Sequence, residues 1–254
     1  MKVKILVLAV DERTTWMLTN AIFEICPSLE VLLLSKHSKI DILFSRYKKN
    51  GLSSLIGQLI FIFFSKLFLS SKKKYISKLI QQANLLDSNL NNIEVTNLDN
   101  DDEFKVAEYL KNHNPDIVVV NGTKILSKNI LNSCNAEFIN LHCGITPAYR
   151  GVHGAYWALV NNDIENCGVT IHQVDSGIDT GSIFYQQRII VSELDNFHVY
   201  PFKQYILGIP LMLKVIDDIS NNNTRNLQNT LPSRLYQHPT IIQYLYSRFK
   251  FGIK

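Results

Sequence analysis

The order of short apolar runs and longer amphipathic segments constrains this chain more than any other feature of its sequence. Seven segments carry the pattern, with strands predicted at 4–10, 29–34, 93–98, 116–120 and 137–141 and helices at 14–25 and 103–111. Strands that are apolar throughout are typical of a parallel sheet buried on both faces. The alternation therefore predicts an α/β fold, a mostly parallel sheet with helices on both faces.

The second half of the chain has a different character. Residues 168–174 and 183–191 are strand-like with mixed polarity, and 200–219 have the spacing of a long amphipathic helix. A polar Asn run follows it, which is typical of a linker. We predict a main domain over 1–220 and a linker with a small helical element over 221–254.

An apolar segment at 52–69, LSSLIGQLIFIFFSKLFL, stands out from its surroundings. Basic residues flank it on both sides: Arg46, Lys48, Lys49, Lys72, Lys73 and Lys74. Gln58, Ser65 and Lys66 interrupt it, so it is shorter than the ~20 apolar residues of a membrane span. Two interpretations stay open: an insertion helix over about 45–75 that packs on the domain, or a helix whose Phe-rich face contacts a membrane surface.

Composition narrows the class of protein. The chain has 254 residues, of which 46% are hydrophobic and 19% charged, so it can bury a sizeable core and is not a disordered protein. A net charge of +4 is too small to indicate a nucleic-acid binder, and no nucleic-acid partner is expected. A small phosphorylated partner remains compatible with this charge.

The cysteines and the first residues bear on the compartment. Cys26, Cys134, Cys143 and Cys167 form no CxxC pair, so neither a zinc site nor a disulfide framework is predicted, and no metal is expected. The opening MKVKILVLAV is followed at once by charged residues, unlike a signal peptide. These features favour a cytoplasmic protein.

The turn after the first strand excludes two common nucleotide sites. It reads VDERTTW and contains no glycine, whereas dinucleotide and P-loop sites need glycines for close approach of the backbone to phosphate. Asp11 and Glu12 would also repel a phosphate. Function must therefore come from another part of the chain.

Polar residues concentrate after the strand at 137–141, in the sequence NLHCGITPAYRG. Strand alternation places Asn140 and His142 on one face, at the carboxyl end of a strand where ligands collect in open α/β sheets. Gly144, Pro147 and Gly151 give the following loop a defined shape. Cys143 points to the opposite face from His142, which argues against a thiol nucleophile activated by this histidine.

A second polar cluster lies at 168–181, GVTIHQVDSGIDTG. Either Asp175 or Asp179 could face His142, and His172 on the same strand is either structural or supports a bound cofactor. A carboxylate beside an imidazole fixes its tautomer, and an amide can donate to a developing oxyanion. Asn, His and Asp together suit acyl transfer without a covalent enzyme intermediate.

Together these motifs resemble a known family. N-x-H with P-x-Y-R-G, then G-V-T-x-H and D-x-G-I-D-T-G, are similar to the formyltransferases that use N10-formyltetrahydrofolate, above all the sugar N-formyltransferases, over residues 115–187. The resemblance implies the Rossmann-like formyltransferase fold and a catalytic trio of Asn140, His142 and Asp179. Asp179 is preferred because 179–181 match the family's D-x-G element. Residues 143–147, CGITP, depart from the PSLLP of many relatives.

The resemblance and the loop chemistry also imply binding residues. The folate-binding set is Asn121, Gly122, Thr123, Ile125, Leu126, Asp175, Gly177 and Ile178. The acceptor-binding set is Thr146, Tyr149, Arg150, Gly151 and Trp157. In the second set the arginine can bind an anionic group and the aromatic rings can stack on a base.

Three acceptors compete within this family. A glycinamide ribonucleotide is disfavoured by the first turn, and methionyl-tRNA by the short tail after Asn223. A nucleotide-linked amino deoxysugar is expected, because its diphosphate needs few basic groups and its base can stack on Tyr149, Trp157, Tyr200 or Phe202. Such an enzyme would serve surface polysaccharide synthesis, as in lipopolysaccharide O-antigen. Glycinamide ribonucleotide and methionyl-tRNA stay open as alternative acceptors. A protein without catalytic activity, which binds folate or a sugar nucleotide at the membrane surface, is an alternative function, and a homodimer is a possible assembly.

Overall fold

The computed structural model describes residues 3–35, 39–89, 93–99 and 102–254. The strands are β1 (Ile5–Val10), β2 (Glu30–Leu34), β3 (Glu94–Leu98), β4 (Ile117–Asn121), β5 (Glu137–His142), β6 (Arg150–Gly151), β7 (Gly168–Gln173), β8 (Ile183–Arg188) and β9 (Leu235–Tyr236). The helices are α1 (Arg13–Ile25), α2 (Lys39–Gln82), α3 (Glu103–His113), α4 (Lys128–Leu131), α5 (Gly154–Val160), α6 (Tyr200–Ser220) and α7 (Ile241–Phe251).

Seven of the strands form one sheet in the order β3-β2-β1-β4-β5-β7-β8. The five strands from β3 to β5 are parallel, and β7 and β8 continue the sheet antiparallel. This confirms the predicted α/β class and its mostly parallel sheet. The antiparallel end matters for the site, because it places β7 directly beside the end of β5.

Alternation within the strands divides the core between the two sheet faces. On β1, Ile5 and Val7 pack with α1, α6 and the last turns of α2, whereas Leu6 and Leu8 pack with α3 and α4. A third, aromatic cluster joins α2, α5 and α7 around Phe61. The two large clusters hold the central strands, and the third holds the C-terminal segment against the protein.

Helix α2 contains the apolar segment 52–69 and is longer than the predicted insertion. Gly51 interrupts it with φ of 75°, a left-handed conformation that favours glycine. Beyond this break, Gln58, Phe61 and Ser65 are buried, and His198 Nε2 donates to the Ser65 carbonyl at 2.8 Å. One face of the segment therefore packs on the protein, as the first of the two interpretations expects.

Within the described ranges, no single helix has the length and apolar character needed to cross a membrane. The helix pair Gly51–Lys66 and Leu69–Gln82, bent by 63°, meets those criteria only when its two parts are taken together.

The C-terminal segment folds back onto the main body. Strand β9 pairs with the short β6, and Arg234 N–H donates to the Pro147 carbonyl at 3.0 Å. Thr240 and Gln243 form a capping box at the start of α7, which then packs on α2. The domain boundary at residue 220 stays a prediction.

Candidate active site

A cavity of about 600 Å³ opens at the carboxyl ends of β4 and β5. One wall is the loop after β4, and a second wall is the 175–179 loop between β7 and β8. The remaining wall is formed by Gln58 of α2 together with Leu235–His238. Asn140, His142, His172 and Asp179 meet at its floor. This is the strand end where open α/β sheets bind ligands.

The end of β5 positions the first two polar side chains. Asn140 is half-buried, and His142 has only 6% of its surface exposed. Each nitrogen of the His142 ring faces a different acceptor. Nε2 lies 2.8 Å from the Tyr149 carbonyl, and Nδ1 lies 3.3 Å from Asp179 Oδ2. Both ring nitrogens therefore face oxygen atoms that can accept a hydrogen bond.

Asp179 reaches this group from a tight loop. Its backbone is left-handed, with φ of 50°, and its carboxylate accepts the Gly151 amide at 2.8 Å. Burial raises the pKa of Asp179, but the nearby His142 and His172 side chains and the Gly151 amide outweigh burial and lower this pKa to about 2. The carboxylate is therefore ionised throughout the physiological range.

For His142, burial has the larger effect on the pKa. Burial lowers its pKa, and the Asp179 charge opposes burial without overcoming it. The resting imidazole is thus neutral and carries one proton, although it faces two acceptors. With Nε2–H donating to Tyr149, the space between Nδ1 and Asp179 lacks a proton. The His142–Asp179 pair is therefore a ready proton acceptor.

His172, for which the sequence allows either a structural or a cofactor-supporting role, belongs to the same cluster. In the β5–β7 register it pairs with Asn140, so both side chains lie on one face of the sheet. His172 Nδ1 donates to the Gln173 carbonyl at 2.6 Å, which leaves Nε2 to accept from Asn140 Nδ2 at 3.2 Å. Nε2 also lies 3.6 Å from Asp179 Oδ1. His172 therefore orients the Asn140 amide, and the second N–H of Asn140 Nδ2 is left to donate to a ligand.

Cys143 lines the cavity but is not suited to nucleophilic chemistry. Burial and the neighbouring Asp179 charge raise the pKa of its thiol to about 12. A thiolate is the reactive form of cysteine, so this side chain stays inert at neutral pH. The electrostatics agree with the strand alternation that separates Cys143 from His142.

Most residues of the predicted folate set line the cavity. They are Gly122, Thr123, Ile125, Leu126, Asp175, Gly177 and Ile178. Asp175 accepts from the Gly177 amide at 2.9 Å and from the Thr180 hydroxyl at 2.7 Å, which fixes the loop. Asn121 is not in this lining: it is buried at the end of β4, where it donates to Thr15 and accepts from the Tyr205 hydroxyl.

The predicted acceptor set divides in the same way. Gly151 lines the cavity, whereas Thr146, Tyr149, Arg150 and Trp157 are absent from its described lining. Tyr149 donates to Asp163 at 2.8 Å, and Trp157 donates to the Gln237 carbonyl at 2.9 Å. Arg150 donates to the Ile178 carbonyl at 3.2 Å. Internal hydrogen bonds hold these three side chains, so direct contact of the four with an acceptor stays a prediction.

The sequence reasoning missed the wall opposite the folate loop. Tyr236 is stacked between Tyr149 and Trp157, at centroid distances of 5.3 Å on both sides. His238 Nδ1 lies 3.0 Å from His153 Nε2. No local pattern locates this long-range pairing, but Gln58 offers a signal, because a lone amide within an apolar run is costly to bury without a polar function.

The sequence model of one family, described as Formyl transferase, matches residues 42–200, more than half of the chain. The chain belongs to the formyl transferase family. The predicted family is thereby confirmed, and the matched range contains Asn140, His142, His172 and Asp179.

Sequence similarity to an individual formyl transferase covers about half of the chain. The methionyl-tRNA formyltransferase of Thermodesulfovibrio yellowstonii is 38% identical over 118 residues, 46% of this chain and 37% of that protein. The chain thus spans well under half the length of this curated relative.

Solved structures extend the likeness to nearly the whole fold. An N-formyltransferase from Helicobacter canadensis, solved with folinic acid and dTDP-3-aminofucose, has a TM-score of 0.58 at 18% identity, over 92% of this chain and 70% of that one. Glycinamide ribonucleotide transformylase 1 from Symbiobacterium toebii has a TM-score of 0.58 at 17% identity, over 89% and 94%. At these identities the likeness shows a shared fold.

Proposed function

We propose that the protein transfers a formyl group from N10-formyltetrahydrofolate to the amino group of a nucleotide-linked amino deoxysugar. The observation that carries this proposal is the cluster of Asn140, His142 and Asp179 at the floor of one cavity. Family membership supports the type of chemistry. The geometry supports a direct transfer, because the thiol of Cys143 is held neutral and the amide and imidazole face the cavity.

The proposed reaction begins with attack of the acceptor amine on the formyl carbon. The carbonyl oxygen becomes an oxyanion, and the Asn140 N–H that His172 leaves available donates to it. The proton released by the amine moves to the His142–Asp179 pair. Both nitrogens of the His142 ring then carry a proton, and the Tyr149 carbonyl and the Asp179 carboxylate accept hydrogen bonds from them. The imidazolium adds positive charge beside the oxyanion. The intermediate then collapses: the carbon–N10 bond breaks, N10 takes the proton from the His142–Asp179 pair, and tetrahydrofolate leaves.

We assign the donor to the wall formed by residues 122–126 and 175–178. Val120, Leu126 and Val174 supply apolar surface, and the surrounding loop backbone supplies donors and acceptors. A flat heterocycle needs apolar contact for its faces and hydrogen bonds for its edges. This wall offers both, and Asn140 lines the same cavity.

Two structural features favour the nucleotide sugar among the acceptors. The turn after β1 has an acidic character: Asp11 accepts from Trp16 Nε1 at 2.7 Å, and Glu12 precedes the first helical residue. Such a turn is a poor phosphate site for a glycinamide ribonucleotide. The wall of Gln58, Tyr236, Gln237 and His238 carries polar side chains, as a sugar requires.

Methionyl-tRNA is a second candidate, favoured by the identity to the Thermodesulfovibrio yellowstonii protein. That similarity covers 46% of this chain. A shared catalytic core explains it equally well, because the chemistry at the formyl carbon is the same for both acceptors.

The test combines purified protein and N10-formyltetrahydrofolate with nucleotide-linked 3-amino and 4-amino deoxysugars, methionyl-tRNA and glycinamide ribonucleotide in separate reactions. Tetrahydrofolate release and product mass are measured. We expect turnover with one sugar, abolition by Asn140→Ala, and full activity for Asn223→Ala, an exposed matched control. Turnover with methionyl-tRNA alone would refute the proposal that the acceptor is a nucleotide sugar. Donor binding without turnover on any acceptor would refute the proposed formyl transfer.

A further inference from the structure

We propose that the exposed face of α2, continued by α7, docks the protein on an anionic lipid bilayer, with the helix lying in the plane of the membrane surface. The proposal is independent of which acceptor is formylated. It rests on the exposure, packing and charge of the two helices.

The segment of α2 after Gly51 presents an unusual row of large apolar side chains to solvent. Leu52, Ile56, Ile60 and Phe63 are spaced along one helix face and have exposed fractions of 59, 48, 47 and 72%. Soluble surfaces rarely carry contiguous apolar patches of this kind without a partner. The row has the spacing of the apolar face of an interfacial helix.

Packing of the opposite face determines how this helix can meet a bilayer. Phe61 lies in the third core cluster, 5.3 Å from the Tyr244 ring and 5.0 Å from the Phe197 ring. Gln58 on the same side lines the active-site cavity. A helix bound to its own protein along one face can lie on a membrane surface, but it cannot be surrounded by lipid without losing those contacts.

Helix α7 extends the surface beside α2. A Cβ added at Gly57 would lie 3.0 Å from Thr240, and Phe61 meets Tyr244 one turn further along both helices, so the helices run side by side in the same direction. The exposed residues of α7 include Ile242 at 76% and Phe249 at 83%. The two helices thus offer adjacent apolar side chains.

The charge of the two helices indicates that their exposed face contacts an anionic bilayer. Between residues 39 and 82 the sequence has nine Lys or Arg residues and one acidic residue, and between 241 and 254 it has three basic residues and no acidic one. Lys66 follows the apolar row on the same part of α2, and Lys250 lies on α7; both are exposed, as are Lys73 and Lys74 beyond the 63° bend. The whole chain has a net charge of only +4, so the positive charge is concentrated here. Anionic headgroups complement such a surface, whereas a second copy would bring like charges together.

The test measures flotation of the purified full chain with two kinds of vesicle, pure phosphatidylcholine and an equimolar mixture of phosphatidylcholine and phosphatidylglycerol. We expect binding to the mixed vesicles that weakens with added salt. The variant Ile60→Glu/Phe63→Glu should reduce the partition coefficient at least ~10-fold, because it removes two apolar side chains from the contact. Phe104→Glu, at an 82% exposed position on α3, should bind like the wild type.

A charge variant separates the electrostatic part of the contact. Lys66→Gln/Lys250→Gln should weaken binding roughly 25-fold, since each lysine near an anionic surface contributes about 5-fold. Lys111→Gln, an exposed lysine of α3, is the matched control. Circular dichroism and thermal melting check that each variant is folded.

Three results would overturn the proposal. Absence of vesicle binding by the wild type would do so directly. Equal binding by the wild type and Ile60→Glu/Phe63→Glu would show that another surface makes the contact. A dimer in analytical ultracentrifugation that Phe63→Glu dissociates, without vesicle binding, would assign the face to a second copy.

Discussion

Replacement of Asp179 by asparagine tests the electrostatic core of the site. The substitution keeps the size of the side chain and an oxygen for the Gly151 amide, but it removes the negative charge 3.3 Å from His142 Nδ1. Without that charge the pKa of His142 falls further, and the pair no longer binds the proton shed by the amine. General acid–base groups typically contribute 10²–10⁴-fold, so we expect kcat/KM to fall by roughly that factor.

The same variant has a calculable effect on stability. The pKa of Asp179 falls from its ordinary value of 3.8 to about 2 in the folded protein, and its side chain is only 14% exposed. One pKa unit corresponds to about 1.4 kcal/mol, so the ionised carboxylate contributes at most about 2 kcal/mol to folding at neutral pH, where His142 is neutral. Because the folded pKa is depressed, this contribution is present above about pH 4 and is lost as the pH falls through about 2.

Urea unfolding of the wild type and Asp179→Asn at several pH values measures this contribution. We expect the variant to be less stable by at most about 2 kcal/mol at neutral pH, and the difference to shrink steadily below about pH 4. The tetrahydrofolate-release assay gives kcat/KM for the same preparations. A stability difference that does not change with pH would refute the depressed pKa of Asp179, and a variant with wild-type kcat/KM would refute its part in accepting the proton from the amine.

Three further predictions follow from the described contacts. Cys143→Ala should retain wild-type kcat/KM, and the Cys143 thiol should resist alkylation at neutral pH, because its pKa is raised to about 12; fast labelling followed by mass spectrometry would contradict this. His172→Ala should lower kcat roughly 10- to 100-fold with little change in the KM for the donor, since it misorients Asn140, and His172→Gln should restore part of the rate in steady-state assays. Gly151→Ala should lower the free energy of unfolding by roughly 1–3 kcal/mol in urea titrations, because φ is 91° and the new Cβ would lie 2.2 Å from the Tyr236 carbonyl oxygen; unchanged stability would show that β6 and β9 are not so tightly paired.

The parallel part of the fold could be predicted because local patterns there agree with tertiary structure. Val118 and Val119 of β4 are both fully buried and lie on opposite sheet faces, so the run has no polar alternation and predicts a central strand. The same reasoning gave the strand at 29–34. It could not give the length of α2, because the helix continues on both sides of the break at Gly51, where one glycine in a left-handed conformation leaves no pattern in the flanking residues.

The floor of the site could be predicted and its far wall could not. Asn140 and His142 alternate along one strand, so their common face follows from the period of two. Tyr236 reaches the site only because β9 pairs with β6, a contact between segments separated by more than eighty residues. Such pairing depends on loop closure and on aromatic packing with Trp157, for which short-range sequence has no signal.

Gly151 joins two parts of the site, the Asp179 carboxylate and the wall that contains Tyr236. Its N–H holds the Asp179 carboxylate, and its register partner across β6 and β9 is Tyr236. A side chain at position 151 would strike the Tyr236 carbonyl, so the close approach depends on glycine. The carboxylate that tunes His142 and the wall that we assign to the acceptor are therefore connected through one backbone position. A ligand that displaces β9 would also disturb the Gly151 amide and, through it, the charge balance of His142.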